Sequence, residues 1–207
     1  MAAPDTKQKI LDASLQLFNE NGISNVRLQQ IADETGISVG NLAYHFNNKE
    51  AITESLIANV IAAMQDLLRQ YGKYASLNDM DFFFKEFYRL STQYRFFNFD
   101  ILEIKRNFPA PYESLQPLFN KVKLQLERRL DLCLQQRLLQ KEANIKFIAS
   151  NVWILMFFMP AEGQLNGKSV ITETQYRRRL WDYISVYFTA KGSTEFSTSV
   201  EPEFTSK

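Results

Sequence analysis

Residues 26–49, VRLQQIADETGISVGNLAYHFNNK, constrain the fold of this chain more than any other stretch. They predict two short helices, over 28–34 and 39–46, joined by a tight turn. Ala32 stands where two steeply crossing helices need a small side chain between them. Gly36, four residues later, tolerates the left-handed conformation that a reversal requires. Ile31, Ile37 and Leu42 are spaced to lock both helices onto one core. Ser38 is placed to cap the second helix by accepting an orphan backbone N–H. This pattern predicts a helix-turn-helix, whose second helix enters a major groove. The same spacing also suits an ordinary helical hairpin in a bundle.

The neighbouring residues extend the pattern. Gly22-Ile23, Ile31-Ala32, Gly36-Ile37-Ser38, Gly40-Asn41-Leu42, Tyr44-His45-Phe46 and Asn48-Lys49-Glu50 follow at fixed offsets. The string resembles the N-terminal domain of the TetR family of bacterial transcription regulators, closely over about residues 7–60. The resemblance implies that Gln29, Val39, Gly40 and Asn41 reach base edges, and that Tyr44, His45 and Lys49 touch the DNA backbone. Ser38 and Arg27 complete the expected DNA-binding set. Arg27 stands where the family usually has a capping Thr, and its guanidinium suits phosphate or a guanine edge. Ala43 stands where a Tyr is common, which removes one phosphate contact. Lys7 and Lys9, in the first turn of a helix predicted over 6–21, sit where the family often contacts phosphate; solvation alone explains them equally well.

Composition sets the rest. The 207 residues leave about 150 for a second domain after a head of residues 1–50. Net charge is +1, and residues 1–49 hold four Lys/Arg against five acids, so DNA binding must rest on where the cations point. One cysteine, Cys133, excludes an internal disulfide and fits a cytoplasmic protein. The longest uninterrupted apolar run, 152–159, falls short of the ~20 residues of a membrane span, so no membrane partner is expected. His45, the only histidine, lies on the predicted recognition helix, and with Cys133 it cannot complete a zinc site. No metal, no cofactor and no enzymatic activity are expected. A carboxylate-based enzyme and a helical adaptor without DNA binding are the alternatives.

An all-α fold is expected throughout. Asn48 caps a helix over 48–71 that links the head to the rest and ends at Gly72. Helices follow over 79–93 and 94–107, within a stretch holding ten aromatic residues between Phe82 and Phe108. Pro109 and Pro111 are expected to break the path before a long helix over 115–141. A helix over 143–159 is apolar nearly all round, and Pro160 and Gly163 are expected to end it before a polar loop over 164–169. The last helix spans 172–190. Residues 192–207, rich in Ser and Thr, read as a flexible tail after an effector and dimerisation domain over 51–191.

Two apolar helices near the end need more cover than one domain supplies, which predicts a homodimer through Phe147, Trp153, Phe158, Tyr176, Leu180, Tyr183 and Tyr187. A dimer also matches a palindromic double-stranded DNA operator. The aromatic stretch reads either as solid core or as the lining of a cavity. By resemblance to the family the domain would hold a cavity. An aromatic-rich domain with few buried charges suggests a mostly apolar small-molecule effector, an aromatic or acyl compound, against Phe83, Phe87, Tyr94, Phe97, Asn98, Glu103, Trp153 and Phe157. Gln93 and Tyr112 are further polar candidates there.

Overall fold

The computed structural model describes residues 5–71, 76–165 and 171–204. Gly72, residues 1–4 and the loop residues 166–169 lie outside them. The described chain is all-α: α1 (Thr6–Asn21), α2 (Leu28–Thr35), α3 (Val39–His45), α4 (Lys49–Tyr71), α5 (Leu77–Gln93), α6 (Arg95–Phe99), α7 (Ile101–Asn107), α8 (Pro109–Gln135), α9 (Ile145–Leu165), α10 (Glu173–Ser185) and α11 (Ala190–Ser199). A 3-10 turn, Glu201–Phe204, follows.

The helices form two compact units. The first comprises the described residues of Met1–Ala63 together with Tyr94–Gln116. It therefore holds α1 to α3, most of α4, α6, α7 and the start of α8. Ile10, Phe18, Ile31, Ala32, Leu42, Ile52 and Phe96 make its core. That division differs from the one expected at residue 50, and particular contacts cause it. The Phe96 ring meets Phe18 edge-on at 5.9 Å, and the Phe96 N–H donates to Asn19 Oδ1 at 2.9 Å. Asp100 accepts from the Ile23 N–H at 2.8 Å, and Ser24 Oγ donates to Glu103. The expected single helix over 94–107 is accordingly broken at Asp100, between α6 and α7. Burial, with Glu103 nearby, holds the Asp100 carboxyl above its usual pKa, while the Ile23 N–H pulls it the other way.

The second unit comprises Met64–Gln93 and the described residues from Pro117 onward. Here α5 packs against α9, α10 and α11. Phe83, Phe84, Phe87, Val152, Met156, Leu180 and Trp181 are buried in its core. Three expected helix ends move. Pro109 and Pro111 occupy the first turn of α8, where a missing N–H costs no hydrogen bond, so the helix begins there. It ends at Gln135 because Arg137 turns left-handed at φ 61°, and the Leu138 N–H closes onto the Cys133 carbonyl at 2.9 Å. Pro160 does not end α9. A proline there frees the carbonyl four residues back, and the Tyr176 hydroxyl donates to that Met156 carbonyl at 3.0 Å.

The C-terminal stretch is also ordered as helix. Phe196 of α11 packs its ring on Trp181 at 5.2 Å and on Phe188 at 5.8 Å, and Phe204 lies under the Arg177 guanidinium at 4.9 Å. Gly192 makes this possible, because a Cβ there would stand 2.1 Å from the Leu138 carbonyl oxygen. The expectation of a flexible tail overlooked these two phenylalanines as anchors. By length and composition, Lys49–Gln70 and Ile145–Glu162 are apolar enough to cross a membrane, a property that the shorter uninterrupted run conceals. Their buried stripes, Ile52 to Leu67 and Ile148 to Met159, belong to the cores just described.

Candidate nucleic-acid interface

The reading head is built by local hydrogen bonding around α2 and α3. Arg27 precedes α2 without a hydroxyl, and Gln30 reaches back so that its Oε1 accepts the Arg27 N–H at 2.8 Å. Gly36 adopts φ 72°, its N–H bonding the Asp33 carbonyl while the Ile37 N–H bonds the Ala32 carbonyl at 3.0 Å. Ser38 Oγ accepts the Asn41 N–H at 3.1 Å and so caps α3. Leu42 is fully buried and anchors the inner face of α3.

What remains points outward. Arg27, Gln29, Ser38, Gly40, Asn41 and Tyr44 are exposed, while Val39 and His45 are half-buried. Tyr44 is 85% exposed, its ring meeting the His45 ring edge-on at 5.2 Å. Gln29 donates to Asp33 Oδ1 at 2.7 Å on the same exposed surface. Lys7 and Lys9 are exposed, and the Lys7 ammonium lies 5.4 Å from the centre of the Phe46 ring.

Lys49 is engaged within the head. Its ammonium donates to the Ile23 carbonyl at 2.9 Å and the Val26 carbonyl at 3.1 Å. Two of its three N–H groups thus tie the loop before α2 to the start of α4, so the ammonium expected at a phosphate is also a structural tie within the head. Nothing local announces this, because the acceptors lie 26 and 23 residues earlier in the chain.

The expected effector and dimer residues divide differently. Tyr94, Phe97, Asn98 and Glu103 belong to the first unit, whereas Phe83, Phe87, Trp153 and Phe157 belong to the second. Neither unit alone contains the expected set of eight. In the second unit the rings touch one another: Phe83–Phe87 at 6.3 Å, Phe87–Trp153 at 6.0 Å and Trp153–Phe157 at 5.4 Å. The expectation of few buried charges is also corrected, since Asp81, Arg129 and Arg177 are all buried there. Of the dimer set, Tyr176 and Leu180 have no exposed surface. They are withdrawn from it, Tyr176 because its hydroxyl serves Met156 and Leu180 because it fills the core. Trp153 is committed mainly to the ring cluster. Phe147 and Phe158 are more than half exposed, and Tyr183 and Tyr187 are half-buried.

Residues 10–56 match the model of the tetR family of bacterial regulatory proteins. Among curated proteins, the transcriptional regulator SrpR of Pseudomonas putida is 37% identical over 57 residues, 28% of this chain and 27% of its own length. RutR of Escherichia coli K12 is 29% identical over 107 residues, 50% of this chain and 42% of its own length. The chain thus spans less than half the length of these relatives. A solved TetR-family regulator from Marinobacter aquaeolei VT8 superposes with a TM-score of 0.79 at 22% identity, covering 97% of this chain and 99% of that one. CprB of S. coelicolor gives 0.75 at 16% identity over 98% of each. These solved structures share the fold, and residues 10–56 carry the family's reading motif: the N-terminal domain of this chain belongs to the TetR family of bacterial regulatory proteins.

Proposed function

We propose that the chain is a ligand-responsive transcription repressor, not an enzyme, acting in the cytoplasm as a homodimer on a palindromic operator. The observation that carries this reading is the outward face of α3. Gly40 in its first turn has only Ser38 Oγ, at 3.9 Å, near where a Cβ would lie. Packing does not demand a glycine there, and in a helix it costs about 1 kcal/mol relative to Ala. A bare position between exposed Ser38 and Asn41 suits close approach of the helix to a groove edge. Asn41→Ala is expected to weaken operator binding by roughly 1–3 kcal/mol while leaving random DNA nearly unaffected. Fluorescence anisotropy on the protein's own promoter region, at fixed salt, measures both. Operator binding of Asn41→Ala and Tyr44→Ala equal to the parent's would remove α3 from the groove.

The dimer is supported by an exposed stripe on α9. Phe147, Ile154 and Phe158 follow at helical spacing, each more than half exposed, and Val186 is exposed beyond α10. Apolar side chains aligned this way are the usual material of an interface between identical helices. Phe158→Glu is expected to yield a monomer by light scattering at micromolar concentration, with helix content by circular dichroism unchanged. A persistent dimer would move the interface elsewhere.

Effector response requires a path to the head. The contacts of Phe96, Asp100 and Glu103 with α1 and the loop after it supply one inside the first unit. A coupling of the usual ~1–3 kcal/mol needs only that the effector favour one arrangement of these contacts.

A further inference from the structure

Two arginines are buried in the second unit, and only one has a carboxylate on it. Arg177 is paired with Asp81. Arg129, only 4% exposed, lies on the core stripe of α8 with Leu126, Leu130 and Cys133. Among the described residues no carboxylate lies within ion-pair distance of it, and its Nη1 has no hydrogen-bond partner. The acid whose charge bears on it most is Asp79, and that side chain is occupied: Asp79 Oδ2 accepts from Ser76 Oγ at 2.5 Å and from the Ser76 N–H at 3.3 Å. Cys133, one turn along, offers no counter-charge, since burial pushes its thiol up to about 11. The contact Arg129 does make is with an aromatic face, its guanidinium 5.4 Å from the centre of the Phe83 ring.

A buried, unpaired cation is among the most costly features a core can hold, and an apolar residue of similar size is generally better tolerated. Its planar fork of donors matches a carboxylate. The rings that begin at Phe83 run on through Phe87, Trp153 and Phe157, so that an apolar track leads away from the charge. We propose that Arg129 is the carboxylate anchor of an effector site in the second unit, and that the effector is an amphipathic organic acid whose apolar body lies along this aromatic track. The inference rests on the ligand-responsive reading above and revises its expected apolar effector to an acid.

The test uses the full chain and four probes: decanoate and phenylbutyrate, with decanol and phenylbutanol as uncharged counterparts. At least one acid is expected to raise the melting temperature and bind by calorimetry, its alcohol far less. Arg129→Met is expected to melt higher than the parent without ligand and to lose acid affinity by about tenfold or more, the scale of a charge-assisted hydrogen bond. Arg129→Lys, which keeps charge but not the fork, should fall between them and serves alone if the Met variant does not fold. Acid binding unchanged in these variants, or no acid binding at all, overturns the proposal. Promoter binding on the same preparations separates the two readings. DNA released by an alcohol but not by its acid leaves the regulator standing and removes the anchor. Arg129-dependent acid binding without any DNA binding does the reverse.

Discussion

Replacing Asp81 with alanine is expected to destabilise the protein by about 3–5 kcal/mol, the cost of stranding a buried charge. Asp81 takes two hydrogen bonds from Arg177, one of them at 3.0 Å from Nε, and a third from Trp181 Nε1 at 2.8 Å. Burial by itself lowers the Arg177 pKa; the hydrogen bond and charge of Asp81, helped by Glu173, more than reverse this and leave it raised. Removing the carboxylate therefore leaves a guanidinium that is nearly inaccessible, with only Glu173 at 3.3 Å to answer it, and an indole N–H without an acceptor. Because Phe204 lies over the same guanidinium, the C-terminal turn should loosen as well. Urea denaturation followed by circular dichroism measures the loss. The double variant Asp81→Leu with Arg177→Met should recover much of it, since an apolar pair strands no charge. A loss below about 1 kcal/mol in the single variant, the range of exposed pairs, would mean that water reaches this pair freely.

Lys49→Met carries the second large effect. The aliphatic stem is kept, but the two carbonyls of the loop before α2 lose their shared ammonium donor. Ile23 and Val26 are each 1% exposed, so these acceptors have little water to replace it. The Ile23 carbonyl keeps the Val26 N–H at 3.4 Å, so the Val26 carbonyl is the group left unsatisfied. A cost of roughly 1–3 kcal/mol is expected, concentrated in the head and visible as faster hydrogen exchange over α2 and α3. Binding to operator and to random DNA should weaken together, as fewer heads are folded, and the salt dependence should keep its slope. A slope lower by about one unit with head stability intact would instead identify Lys49 as a phosphate contact.

The parts of the head that could be read directly are those whose causes are local. Gly36 in its left-handed turn, Ser38 capping α3, Asn48 capping α4, and Ala32 and Leu42 in the core all depend on neighbours within a few residues. The role of Lys49 escaped because its acceptors are more than twenty residues away. The break at Asp100 escaped for the same reason: its cause is the Ile23 N–H, 77 residues earlier.

The amino-acid sequence by itself determined the helical character of the chain, the helix-turn-helix with its outward face, and the apolar excess on α9. Helical periodicity, caps and turn residues act over one or two turns, and their consequences are written in adjacent letters. Only the tertiary structure decided that α9 continues through Pro160, because the carbonyl it frees is satisfied by Tyr176, twenty residues on. It likewise decided that Ala190–Ser199 and Glu201–Phe204 are helical, that Tyr176 and Leu180 face the core, and that Arg129 is buried with no carboxylate on it among the described residues while Arg177 has one. Each of these turns on which distant group occupies a side chain's one remaining partner position. Periodicity shows which residues face inward; it cannot say what they meet there.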